Sequence, residues 1–283
     1  MRATIPRGDG EPGQGAPGQG APARPKRSLG QNFLVDPNMS AKIVATLAIA
    51  PGDTVIEIGP GRGALVEAIL AARPGAYLAL EKDRDLAAAL ARDYPEAAVA
   101  NCDALRLDWR RLDRLTGHVR VISNLPYNIA SPLLWDLCAG AGRFVRGVFM
   151  VQHEVARRLA AAPGGREYGA LSAWIGNFVQ VEYCFKVPPT VFRPRPKVDS
   201  AVVALTPLPV AERPDDPVAL SRLLKLVFSA RRKQLRGILK RYWGDALEDY
   251  FAAAGIAPQA RPENLSPRAL RGVANLLKMR LDS

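Results

Sequence analysis

Between Thr54 and Gln152, short apolar, β-branched runs alternate with stretches whose apolar residues recur at helical spacing. The runs are TVIEI at 54, AYLALE at 76, AAVAN at 97, VRVIS at 119 and GVFMVQ at 147. Alternation of this kind predicts a parallel sheet with helices packed on its faces. The helical stretches are ALVEAILAA, DRDLAAALARDY with Asp83 as N-cap, and SPLLWDLCA, where Ser131 is the expected cap and Pro132 takes the first turn. A further helix, YGALSAWIGNFV, and two strands, VQVEYCF and VDSAVVAL, follow. Beyond Pro217 the pattern is helical as far as SPRALRGVANLLKMRL, and the Pro-rich, polar TPLPVAERPDDP reads as a linker. The expected division is a tail over 1–24, an α/β domain over 25–208 and a small all-helical domain over 209–283. The tail, rich in Gly, Pro and Gln, has almost nothing to bury, so disorder is expected there.

Composition adds a partner class. Of 283 residues, 39 are Lys or Arg and 27 are Asp or Glu, a formal net charge of +12, which favours a polyanion such as nucleic acid or an anionic surface. No apolar run reaches the roughly 18 residues needed to span a bilayer, and no signal-peptide core is visible. A soluble, cytoplasmic protein without membrane partners is the expectation. Cys102, Cys138 and Cys184 lie far apart and His118 and His153 are the only histidines, so neither a disulfide framework nor a metal site is expected.

The stretch VIEIGPGRGALVEAIL sets Gly59, Gly61 and Gly63 at a strand-to-helix turn, where the backbone can approach a ligand closely. Gly59, Gly61 and Ala64, with Glu81 at the end of the next strand, also satisfy a loose dinucleotide pattern, so this segment alone is compatible with NAD. S-adenosylmethionine makes similar demands: a glycine loop, an acid for the ribose hydroxyls and a polar group near the adenine. Glu81 and Asp103 suit the last two roles.

NLPYNIASPLL, from Asn124 to Leu134, follows the strand VRVIS and separates the readings. An exocyclic adenine amine is a poor nucleophile, and an enzyme that alkylates it must accept both of its hydrogens and hold the nitrogen in line. Asn124 offers a side-chain oxygen and Leu125 a main-chain carbonyl. Pro126 holds Leu125 extended, and Tyr127 supplies a face for an unstacked base. An oxidoreductase leaves these residues without a purpose.

Taken together, GQNFLVD, IEIGPGRGAL, LEKDRDL, NLPYNIASPLL, VPPTVFRPRPKVDSAVV and ARRKQLRGIL resemble the ribosomal RNA adenine dimethyltransferases of the bacterial small-subunit type, in the family's order from about Lys26 to Leu277. The resemblance implies a Rossmann-like class I S-adenosylmethionine-dependent methyltransferase domain with a small C-terminal all-helical domain. It implies transfer of methyl groups to N6 of two adjacent adenosines in the 3′-terminal hairpin loop of 16S rRNA, within the immature small ribosomal subunit. The family's cofactor positions carry over to Asn32, Leu34, Gly59, Gly61, Glu81, Asp103 and Asn124. Its target-base positions carry over to Asn124, Leu125, Pro126 and Tyr127, with Phe192 as a candidate second face for the base. Two departures stand out: Cys102, where the family commonly has Gly or Gln before the acid, and Gly237, where many members have Asn.

From Val218 to Gly244 there are eight Lys and Arg and no acid, on helices whose apolar residues should face inward. Arg231, Arg232, Lys233 and Arg236 are the expected RNA contacts there, joined by Arg193, Arg195 and Lys197 of FRPRPKV near the pocket. Nothing demands more than a monomer. Two alternatives stand beside this reading: a large-subunit rRNA adenine methyltransferase of the antibiotic-resistance type, and a mainly non-catalytic RNA-binding assembly factor.

Overall fold

The computed structural model describes residues 32–115, 117–126, 129–140, 144–257 and 259–277. The tail expected over 1–24 and Tyr127 lie outside the described residues. From the N-terminal side the elements are β1 (Phe33–Leu34), α1 (Pro37–Leu47), β2 (Thr54–Ile58), α2 (Val66–Ala71), β3 (Ala76–Glu81), α3 (Arg84–Asp93) and β4 (Ala98–Asn101). They continue with β5 (Val119–Asn124), α4 (Ala130–Gly140), β6 (Phe144–Gln152), α5 (His153–Leu159), α6 (Ala170–Ile175), β7 (Val179–Val187), β8 (Phe192–Arg193) and β9 (Ser200–Pro207). The last four helices are α7 (Pro217–Ser229), α8 (Leu235–Ile238), α9 (Asp245–Ala253) and α10 (Pro267–Leu277).

Seven strands form one sheet in the order β4-β3-β2-β5-β6-β9-β7. The five strands from β4 to β6 run parallel, and β9 lies antiparallel between β6 and β7. Strand order reverses between β2 and β5, and in open α/β sheets such a switch point opens a crevice at the carboxyl ends of the strands. Val55, Ile56, Val121 and Ile122 of the two central strands are fully buried, as strands covered by helices on both faces require.

Each face carries its own apolar cluster. One joins Val55 and Ile122 to Ile43 and Leu47 of α1, Ile69 of α2 and Leu90 of α3. The other joins Ile56, Val121 and Phe149 to Leu133 and Leu137 of α4, and runs on without a break into Leu220, Leu223, Leu224 and Val227 of α7 and Leu270 and Val273 of α10. The C-terminal helices therefore share their core with the sheet. The Tyr168 hydroxyl, buried in this cluster, donates to the Leu265 carbonyl at 2.9 Å.

Asp83 caps α3, accepting from the Asp85 amide at 3.0 Å. Ser131 does not cap α4, which already includes Ala130. The Ile129 amide closes a turn on the Pro126 carbonyl at 3.1 Å and the Ile129 carbonyl accepts from Leu133 at 3.0 Å, so helical geometry starts before Ser131. Pro132 stays within the first turn, where its missing N–H costs nothing. Apart from the main sheet, β1 and β8 pair antiparallel, Phe33 opposite Arg193 and Leu34 opposite Phe192.

Candidate active site

The glycine turn sits at the carboxyl end of β2. The Gly59 amide donates to the Leu80 carbonyl at 2.8 Å, which ties the turn to β3. Gly59 has φ +66°, and no atom stands within 4 Å of the place a Cβ would occupy, so its backbone borders open space. At Gly61, φ +61°, a Cβ would stand 3.2 Å from the Phe33 ring, and the Arg62 guanidinium lies 4.4 Å from the centre of that ring.

Glu81 ends β3 and is 5% exposed. One of its oxygens accepts from the Gly61 amide at 3.0 Å and the other from Asp83 at 2.8 Å. Each oxygen keeps a lone pair for a further donor. Beyond β4, Asp103 accepts from the Leu105 amide at 3.1 Å through one oxygen and pairs with Lys82 at 2.8 Å through the other. The hydrogen bond from Lys82 holds the Asp103 carboxyl below the usual carboxylate range. Next to it, burial and the nearby Asp103 and Glu81 carboxylates push the Cys102 thiol up.

At the end of β5 the Asn124 amide donates through Nδ2 to the Asn32 carbonyl at 3.4 Å. Oδ1 has no partner among the described residues. The Leu125 amide is tied to the Met150 carbonyl at 3.0 Å, which fixes the backbone of the Asn-Leu-Pro run against β6. Asn32, Leu34, Gly59, Gly61, Glu81, Asp103 and Asn124 all line a single cleft, together with Leu125, Pro126 and Phe192. Phe192 is 1% exposed and belongs to the cluster around α1, so it borders the cleft as a packed residue.

The basic residues divide. Arg193, at the end of β8, and Arg195 and Lys197, between β8 and β9, are exposed on the side of the sheet where β6 ends. Arg232 and Lys233 are exposed as well. Arg231 and Arg236 depart from the picture of a free cationic face. Arg231 pairs with Glu263 at 2.7 Å, and Arg236 pairs with Glu248 at 3.2 Å beside the Trp243 ring. Both carboxylates come from beyond the acid-free run, so a local charge count does not reveal them.

The cleft also holds residues to which sequence reasoning gave no role: Phe33, Glu57, Arg62 and Lys82. Glu57 had a visible signal, a lone charge inside the apolar TVIEI. Its carboxyl is 2% exposed and accepts the Tyr77 hydroxyl at 2.6 Å. Burial pushes its pKa up to about 7. The remaining chemistry is a set of oxygen acceptors, an open glycine backbone and apolar walls at Ile58, Leu80 and Ala104. Such a set fits an adenosyl group that offers hydroxyl and amine donors. Among the described residues no group of His, Cys, Asp and Glu is arranged to hold a metal ion, and no helix is long and apolar enough to cross a membrane.

The sequence model of the family described as "Ribosomal RNA adenine dimethylase" matches residues 23–278. The chain belongs to the ribosomal RNA adenine dimethylase family. Two relatives of this family member carry the name "Ribosomal RNA small subunit methyltransferase A". The one from Oleidesulfovibrio alaskensis is 52% identical over 266 residues, 92% of this chain and 94% of the relative. The one from Maridesulfovibrio salexigens is 49% identical over 255 residues, 90% and 96% of the two chains. Among solved structures, a dimethyladenosine transferase from Plasmodium falciparum superposes with a TM-score of 0.72 at 23% identity, covering 88% of this chain and 98% of its own. The 23S rRNA methyltransferase ErmE gives 0.66 at 24% identity, covering 87% and 100%. These last two likenesses speak for the fold alone.

Proposed function

We propose that this protein transfers methyl groups from S-adenosylmethionine to N6 of two adjacent adenosines in the 3′-terminal hairpin loop of 16S rRNA, acting on the immature small ribosomal subunit. Family membership and relatives about half identical over nearly their whole length support an rRNA adenine methyltransferase. The observation that carries the reading to residues is one cleft, at the switch point of the sheet, lined by all seven positions matched to the family's cofactor set. Bound there, S-adenosylmethionine supplies an activated methyl group.

The chain's own groups do the rest. Glu81 accepts ribose hydroxyls through its remaining lone pairs, and Asp103, kept ionised by Lys82, accepts the adenine amine. With Nδ2 engaged by Asn32, Asn124 presents Oδ1 as acceptor for one hydrogen of the target amine, and the Leu125 carbonyl accepts the other. These bonds draw electron density onto the nitrogen and fix its direction. The alkylated amine then loses a proton to water, so no strong base is required. Arg193, Arg195, Lys197, Arg232 and Lys233 contact phosphates, and Arg231 and Arg236 are set as struts beside them.

Unmethylated small subunits and, in a parallel reaction, large-subunit RNA, each incubated with labelled donor and followed by nucleoside analysis, test this reading. Dimethyladenosine in the small-subunit rRNA is the expected product. Label confined to large-subunit RNA would favour the antibiotic-resistance type, and no label at all would favour an assembly factor without catalysis.

A further inference from the structure

Two side chains of opposite charge stand together at one end of the cleft. The Lys82 ammonium pairs with the Asp103 carboxylate at 2.8 Å, and both residues line the cleft wall. The pair is held from behind. Asp103 keeps its other oxygen on the Leu105 amide at 3.1 Å, while the Asn101 side-chain amide donates to the carbonyls of Glu81 and Lys82 at 2.9 and 3.1 Å. Glu81 is paired with Asn101 across β3 and β4, and Asp103 lies two residues beyond Asn101. Lys82, the residue after Glu81, therefore bridges from the end of one strand to the segment after the next, across an interstrand spacing of about 4.8 Å. Its side chain is 58% exposed, so it can adjust to a ligand without disturbing the core. Arg106 also acts on the Asp103 charge, but of the two cations Lys82 is the one in the cleft wall.

An ammonium has three N–H donors, and the ion pair with Asp103 engages one of them. A carboxylate oxygen beside an N–H presents an acceptor next to a donor, the same array that an Asn or Gln amide offers to the edge of adenine. Adenine answers with an amine next to a ring nitrogen, N1 on one flank and N7 on the other. We propose that Lys82 recognises the adenine of the methyl donor jointly with Asp103: the carboxylate accepts the 6-amine, and the ammonium donates to a flanking ring nitrogen. The inference rests on reading the cleft as the S-adenosylmethionine site with its adenine at Asp103. Lys82 is then a specificity residue, and the ion pair seen in the free protein is the recognition element already assembled.

Calorimetric titration of the full chain with S-adenosylhomocysteine tests the proposal, alongside its 1-deaza and 7-deaza analogues, which carry C–H in place of N1 or N7. Wild type is compared with Lys82→Met, which keeps the length of the stem and has no donor; Lys82→Leu serves as a second variant without the ammonium. The parent ligand should bind Lys82→Met at least about tenfold more weakly than wild type, as loss of a hydrogen bond from a charged donor requires. Removing the ammonium also leaves Asp103 without its partner, which affects all three ligands alike, so the deciding quantity is the ratio of their losses. One analogue should be about tenfold less sensitive to Lys82→Met than the parent ligand, and the nitrogen it lacks is the partner of Lys82. Equal sensitivity of the parent ligand and both analogues would overturn the contact while leaving the site assignment intact. Failure of the wild type to bind the parent ligand would overturn both.

Discussion

Replacing Glu57 by Gln removes an ionisable group while keeping the side chain's shape and an oxygen to accept from Tyr77. In the cofactor-free protein the effect should depend on pH in one direction. The carboxyl moves from its ordinary 4.5 to about 7 because it is buried. At about 1.4 kcal/mol per pH unit that shift corresponds to about 3 kcal/mol. Below pH 4.5 both folded and unfolded chains hold the proton, and Glu57 brings no penalty. Between 4.5 and 7 the unfolded chain has lost its proton while the folded chain keeps it, so the unfolded state binds fewer protons and stability falls as pH rises. Above 7 the whole penalty is present. Glu57→Gln should therefore match the wild type near pH 4.5 and exceed it by up to about 3 kcal/mol at pH 8. In a chain of this size, that is about 6 °C in Tm. Melting curves without cofactor across this range, for both proteins in the same buffers, would show it. A difference that stays constant with pH, or one that favours the wild type at pH 8, would refute the claim that burial keeps this carboxyl neutral.

Three other outcomes are expected. Asn124→Ala should slow single-turnover methyl transfer by about 100-fold or more, as loss of one transition-state hydrogen-bonding group does elsewhere, while donor affinity changes by only a few fold; a rate near wild type would remove Oδ1 from the mechanism. Replacing Arg232 and Lys233 together by Ala should weaken RNA binding and lower the slope of log affinity against log salt by about 1 to 2, whereas Glu263→Gln, which frees Arg231, should not lower it. Tyr168→Phe removes a buried donor from the Leu265 carbonyl and should cost about 1 to 3 kcal/mol in urea unfolding, with RNA affinity unchanged.

The order of strands and helices was legible because each element's pattern is local. TVIEI, AYLALE and VRVIS have no polar face to expose, and Asp83 stands one residue before its helix. Ser131 misled because the turn at Pro126–Ile129 starts the helix earlier, and a Ser-Pro pair carries no information about a turn several residues upstream. The glycine turn, Glu81 and Asp103 announce themselves as the ends of consecutive strands. Contacts between distant segments left no such trace. Nothing around Arg231 points to Glu263, and nothing in GQNFL says that the Phe33 ring will pack on Gly61 with Arg62 above it. The state of Glu57 was also hidden, since it follows from burial in a space that only the folded sheet encloses.

The small ribbon of β1 and β8 has a consequence for the whole cleft. Phe33 faces Arg193 across it, while the carbonyl of the preceding Asn32 receives the amide of Asn124. The aim of that amide is thus inherited from a two-residue splice between segments some 160 positions apart in the chain. A change that shifts the arginine-bearing strand would move the Asn32 carbonyl and with it the acceptor that orients the Asn124 side chain.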